Sequence, residues 1–103
     1  MEITGNDSVK PRVWHLYIVR CGDGSLYTGI STDVARRVRE HQCGGPRASR
    51  YLRTRGPIDV IFAQLIGDRS AALRAEWAIK RLEKTQKEAL VRGRLSLVDV
   101  LGT

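Results

Sequence analysis

"VWHLYIVRCGDGSLYTGIS", residues 13–31, decides the fold. Its opening run, "VWHLYIVR", is dense in β-branched and aromatic side chains, "CGDGS" at 21–25 is turn chemistry, and "LYTGIS" at 26–31 is a second short β-rich run. Two such runs joined by a glycine-containing loop predict an antiparallel hairpin. With Arg20 facing Leu26 across the loop, Tyr17 lies opposite Gly29 and Tyr27 is its diagonal neighbour. Side chains alternate between faces along a strand, so both tyrosines share one face of the sheet.

Beyond the hairpin, Thr32 or Asp33 caps a helix that starts at Val34 and runs to about Cys43, where Gly44 and Gly45 end it. At about 100° per residue, Val34 and Val38 form its apolar stripe. Arg37 and His41 flank one edge of that stripe, and Arg36, Arg39 and Glu40 lie further from it. "GGPRASRYLRTRGP", residues 44–57, reads as a basic loop, and "IDVIFAQLI", 58–66, as a third strand with a buried centre. Asp68 is positioned to cap a second helix running to about Lys84, with a continuation through "TQKEALVR" after a bend left open. Its apolar arc holds Ala72, Leu73, Ala75, Trp77, Ala78, Ile79 and Leu82, with Glu76 inside the arc and Trp77 and Trp14 expected as core anchors. "LSLVDVL", 95–101, is a short edge strand or a docked tail. The order β-β-α-β-α predicts an α+β fold with a small, mainly antiparallel sheet. Residues 1–11 form a polar arm, 12–92 the domain and 93–103 the tail.

With 103 residues, the chain has room for one domain and one modest core. No apolar stretch is long enough to span a bilayer and the N-terminus carries no apolar leader region, so a cytoplasmic monomer is expected. Cys21 and Cys43 belong to no CxxC pair, which argues against a zinc site or a disulfide framework. Charge says more. Eighteen Lys and Arg against eleven acids give a net charge of +7, and residues 34–56 hold seven arginines and a single acid, Glu40. Arginine binds phosphate bidentately, so a polyanion such as nucleic acid is the expected partner.

Cutting a phosphodiester requires a positioned water, a group to take its proton, and cations on the non-bridging oxygens. Tyr17 and Tyr27 on a strand face, Arg37 and His41 on a helix edge, and the lone carboxylate of Glu76 supply candidates for each. A hard cation keeps several waters and binds through one or two carboxylates, so a single glutamate suffices, whereas the lack of clustered acids disfavours a two-metal site.

"HLY" at 15–17, "YTG" at 27–29, Arg37 and His41 on the first helix and "AEW" around Glu76 together resemble the GIY-YIG nuclease family, over about residues 13–85. "GDRSAALRAEWAIKRL" is similar to the small stand-alone bacterial members. The resemblance implies a three-stranded antiparallel sheet flanked by helices and cleavage of DNA dependent on Mg²⁺ or Mn²⁺. It implies that Tyr17 is a general base or water-positioning group and that Tyr27 contacts the scissile phosphate or the water. Arg37 would then stabilise transition-state charge, His41 assist proton transfer or hold a phosphate, Glu76 bind the metal, and Gly29 give the backbone and phosphate room. Arg36, Arg39, Arg47, Arg50, Arg53 and Arg55 are the expected DNA-binding cations. A second possibility is a nucleic-acid-binding adaptor that keeps the fold without catalysis. His15 and Leu16 replace the glycine and isoleucine of the family's first triplet, Thr28 occupies the middle of the second, and the late asparagine has no counterpart, since Asn6 is the chain's only one.

Overall fold

The computed structural model describes residues 12–45 and 47–102, so the polar arm at 1–11 and Pro46 of the basic loop lie outside the described residues. Strands β1 (Trp14–Cys21) and β2 (Leu26–Ser31) form the hairpin, followed by α1 (Val34–Cys43), the short α2 (Arg50–Arg53), β3 (Ile58–Gly67), α3 (Arg69–Lys80), α4 (Lys84–Val91) and α5 (Leu97–Leu101). The sheet is three-stranded in the order β2-β1-β3, with both pairings antiparallel. Arg20 pairs with Leu26 and Tyr17 with Gly29, the register that the loop length predicts.

Central β1 is covered on both faces, and alternation splits its side chains between two cores. Leu16 and Ile18 pack with Ala75 and Ile79 of α3, Leu90 of α4 and Leu97 of α5. Tyr17, Val19 and Cys21 pack on the other side with Val38 of α1, Leu52 of α2 and Ile58. Each fully buried aliphatic side chain contributes roughly 1.5–3 kcal/mol of transfer free energy, so this strand is the structural axis of the domain.

Local chemistry accounts for most element ends. The carboxylate of Asp33 accepts from the Arg36 amide and that of Asp68 from the Ala71 amide, satisfying donors that the first helical turn leaves free. Gly44, at φ 69°, closes α1 in the left-handed conformation that favours glycine. At 81–83 the anticipated long helix breaks: the Glu83 amide donates to the Gln86 side chain, which starts α4.

Four expectations need correction. The strand β3 is an edge strand with a half-buried centre, because only β1 pairs with it. Residues 95–101 form no strand. Ser96 accepts from the Asp99 amide, the Asp99 carboxylate accepts from the Ser96 amide, and Leu97 pins the resulting helix to the core. Trp77 is no core anchor, being 63 % exposed. Within the basic loop, residues 50–53 make a helical turn that inserts Leu52 into the core. Among the described residues no helix is long and apolar enough to cross a membrane.

Candidate active site

Gly29 explains how Tyr17 reaches its place. A Cβ built at Gly29 would lie 2.5 Å from the Tyr17 hydroxyl oxygen and 2.6 Å from Cζ, so the phenol lies directly over the glycine. The room that Gly29 provides is therefore taken by Tyr17 itself, whose ring lies over β2 on the face that α1 covers. Tyr17 is 1 % exposed. Burial pushes its pKa up to about 12, with Tyr27 adding to the rise and Arg37 opposing it, while Glu76 pushes weakly the same way as burial. Charges on Tyr27, Arg37 and Glu76 thus reach Tyr17 from β2, α1 and α3.

His41 lies deeper than its helix-edge position suggests. It is buried beneath the tyrosines, with Nε2 3.1 Å from the Tyr17 hydroxyl and the Tyr27 ring packed edge-on at a centroid distance of 5.8 Å. The Ser49 amide donates to Nδ1 at 3.0 Å. Nδ1 is thus an acceptor, the proton of the neutral ring sits on Nε2, and Nε2–H donates to Tyr17. That leaves the Tyr17 O–H free to donate elsewhere. Burial lowers the His41 pKa and the Arg37 charge lowers it further, with Glu40 working the other way, so the neutral tautomer persists. Helix periodicity could not show this, because the contact on His41 comes from Ser49, beyond the end of α1.

Arg37 is half-buried and held by two acceptors. Its Nη1 donates to Glu40 at 3.0 Å and to the Arg47 carbonyl at 2.6 Å, which holds the guanidinium in one orientation and ties α1 to the basic loop. Glu76 on α3 is mostly covered and meets Lys80 at 3.3 Å. Among the described residues no group of three or more His, Cys, Asp or Glu gathers, so no all-protein metal cage exists here. A single carboxylate whose charge reaches Tyr17 is a donor set that suits a hard, largely hydrated cation.

The cations expected to bind DNA divide by their commitments. Arg36, Arg39 and Arg50 are exposed and carry no ion pair among the described residues, and Arg36, Arg39 and Arg47 border a concavity of about 440 Å³. Arg47 approaches Glu40 at 3.7 Å, Arg53 donates to the Gly45 carbonyl, and Arg55 is paired with Asp23 at 2.9 Å. Tyr51 went unnoticed in the sequence. Its ring lies 5.7 Å from that of Tyr27, and the Arg55 guanidinium sits 3.9 Å over it. The signal was an aromatic interleaved with arginines in "SRYLRTR", a pattern suited to nucleic acid.

A family model described as the GIY-YIG catalytic domain matches residues 13–89. The chain belongs to the GIY-YIG family. Among its relatives, UPF0213 protein YhbQ of Salmonella typhimurium is 53 % identical over 90 residues, covering 87 % of this chain and 88 % of that protein. A UPF0213 protein of Cronobacter sakazakii is 52 % identical over 83 residues, covering 81 % and 85 %. Two solution structures share the fold at 34 % identity. UPF0213 protein BH0048 from Bacillus halodurans has a TM-score of 0.52 and covers 85 % of this chain and 92 % of that one. Protein EF2693 from E. faecalis has a TM-score of 0.57, covering 82 % and 88 %. The GIY-YIG domain is of nuclease type. In this member, Leu16 at the centre of the first triplet belongs to the α3 core and is fully buried, which shows that triplet position to be a packing position.

Proposed function

We propose that this GIY-YIG protein is a metal-dependent endonuclease that hydrolyses phosphodiester bonds in DNA. What supports the reading is the buried Tyr17–His41 hydrogen bond over Gly29, with the charges of Tyr27, Arg37 and Glu76 all reaching Tyr17, in a chain that also exposes Arg36, Arg39 and Arg50. Glu76 would hold Mg²⁺ or Mn²⁺. A divalent ion there, when bound, offsets charge on the phosphate and lowers the pKa of water.

The protein's own groups divide the remaining work. With its pKa at about 12, Tyr17 stays a neutral phenol near pH 7, which suits positioning a water or phosphate oxygen better than taking a proton. His41 acts through Tyr17 as a positioning residue, since both its nitrogens are engaged. Tyr27, only half-buried, presents its hydroxyl to the phosphate or the attacking water. Arg37, already fixed by Glu40 and the loop carbonyl, offers a preorganised charge to the transition state with little reorganisation. Arg36, Arg39 and Arg50 take up flanking phosphates.

Glu76→Gln tests the proposal, because it keeps size and helix position but removes the charge a hard cation needs. Cleavage of a labelled DNA panel (single-stranded, duplex, flap and junction) should disappear at ordinary Mg²⁺ while DNA binding is retained. Equal cleavage by parent and variant at every Mg²⁺ concentration would refute the one-metal site. DNA binding without metal-linked cutting by the parent would instead make the protein an adaptor.

A further inference from the structure

The convergent site leaves one large aromatic unused. Trp77 on α3 is 63 % exposed, although it neighbours Glu76 in sequence and sits on a helix that buries Ala72, Ala75 and Ile79. The Arg81 guanidinium lies 4.4 Å from the centre of its ring. Arg74, one turn earlier on the same side, joins Trp77 along a groove of about 650 Å³ floored by Ile66, Ala78 and Val100. Successive residues on a helix are separated by about 100°, and Leu73 fills the angle between Glu76 and Trp77. Leu73 is itself exposed, so the surface from the carboxylate to the indole is continuous.

Resting on the nuclease reading above, we infer that Trp77 and Arg81 form a stacking ledge for an unpaired nucleobase of the strand whose phosphate lies at Glu76. Charge selects this occupant over an apolar protein segment or a second copy of the chain. Neither Arg74 nor Arg81 has an ion-pair partner among the described residues, and apolar burial would strip water from both; only Ser70 accepts a hydrogen bond from Arg74. A second copy brings another net charge of +7 to a face already rich in arginine. A nucleic acid strand supplies both what the arginines need, phosphate, and what the indole needs, a flat π face. In a duplex the base faces are occupied by their neighbours, so the ledge favours substrates with at least one unstacked base: single strands, flaps or frayed junctions.

The test uses the indole as its own reporter, in the absence of divalent cation so that no strand is cut. A mixed-sequence single-stranded oligonucleotide should quench emission from the parent protein, and Trp77→Phe, which leaves Trp14 as the remaining tryptophan, should lose that response. The parent should bind the base-bearing strand roughly tenfold or more tighter than an abasic strand of equal length, the scale of one stacked base. This preference should survive in Trp77→Phe and vanish in Trp77→Ala. Unquenched Trp77 in a protein that still binds and cuts DNA, or a preference retained in Trp77→Ala, would overturn the ledge and leave the nuclease reading standing. A Trp77→Ala variant that turned a dimeric parent monomeric without altering the preference would reassign the groove to self-association. A parent that bound neither strand at low salt would remove both proposals together.

Discussion

Replacing Gly29 with alanine adds one methyl group at the point where Tyr17 crosses β2. The new carbon would stand 2.5, 2.6 and 2.9 Å from the hydroxyl oxygen, Cζ and Cε1 of the ring, so something must move by about an ångström. Backbone conformation does not oppose the change, because Gly29 is not among the positive-φ glycines. Tyr17 is the part that must yield, and it has nowhere to go: it is fully buried and hydrogen-bonded to His41. Overpacking of this kind costs about 1–3 kcal/mol and a disrupted buried hydrogen bond about 1 kcal/mol more. Restricting the unfolded chain returns about 0.5–1 kcal/mol. The net is about 2 kcal/mol, or roughly 8–16 °C in melting temperature for a domain of this size. Urea unfolding of a double-mutant cycle isolates the cause. Tyr17→Leu removes all three clashing atoms, so Gly29→Ala in that background should be neutral or mildly stabilising, a coupling of more than about 1 kcal/mol. Additivity of the two substitutions within about 0.5 kcal/mol would show that Tyr17 does not rest on Gly29.

Arg37→Ala should lower turnover by roughly 10²-fold, the scale of losing one preorganised charge donor, whereas Arg36→Ala should act mainly on DNA affinity; equal effects on turnover would reject the distinction between them. Duplex affinity should fall with salt at a log–log slope of roughly −0.9 per neutralised phosphate, and an affinity indifferent to salt would remove the electrostatic footprint. At high pH the Tyr17 phenol, raised from 10.0 to about 12, contributes stability that is complete below pH 10 and lost as pH climbs through 12, so Tyr17→Phe should lack this part of the alkaline transition. Asp23, held at about 2 by the Ser25 hydroxyl and amide and by Arg55, contributes stability present above its ordinary 3.8 and lost as pH falls toward 2; Asp23→Asn should flatten the acid limb there. His41, whose pKa is depressed by burial, resists charging, so stability should fall as pH drops below 6.5 toward its lower folded value, and a limb unchanged in His41→Gln would exclude it as the source.

The hairpin was legible because two local rules agreed. A short glycine-bearing loop set the register and strand alternation set the faces, so Tyr17 met Gly29 as expected. The caps at Asp33 and Asp68 were equally local. The break after Lys80 was not, since Leu82 continues the apolar period and only the competition between Gln86 and the helical ladder for the Glu83 amide ends it. Trp77 misled for a different reason: the apolar arc of α3 is wider than the face the sheet covers, and periodicity cannot say which margin is left in water. Residues 95–101 alternate like a strand, yet a reciprocal Ser96–Asp99 cap and the docking of Leu97 favour a helical turn. In the site, residue types and spacing identified the contributors, but not their depth. The engagement of His41 with the Ser49 amide depends on the chain beyond α1 folding back on the helix, which helical periodicity does not encode.

The depth of Tyr17 has a mechanistic meaning that follows from its strand. Central β1 sends alternate side chains into two cores, which makes it the most rigid place on which to mount a functional group. A group mounted there is also the hardest to bring to solvent. Gly29 eases the conflict: without a side chain opposite Tyr17, the ring can lie over the neighbouring strand, where its hydroxyl meets His41 and the charges of Arg37 and Glu76 reach it. The arginines proposed to meet flanking phosphates sit on α1 and the basic loop, where Arg36, Arg39 and Arg50 are exposed and carry no ion pair among the described residues. On α1 the two kinds of arginine lie at different angles, Arg37 at the edge of the apolar stripe and Arg36 and Arg39 further from it. Substitutions at Tyr17 and Gly29 should change stability and turnover together, while those at Arg36, Arg39 and Arg50 should change affinity alone.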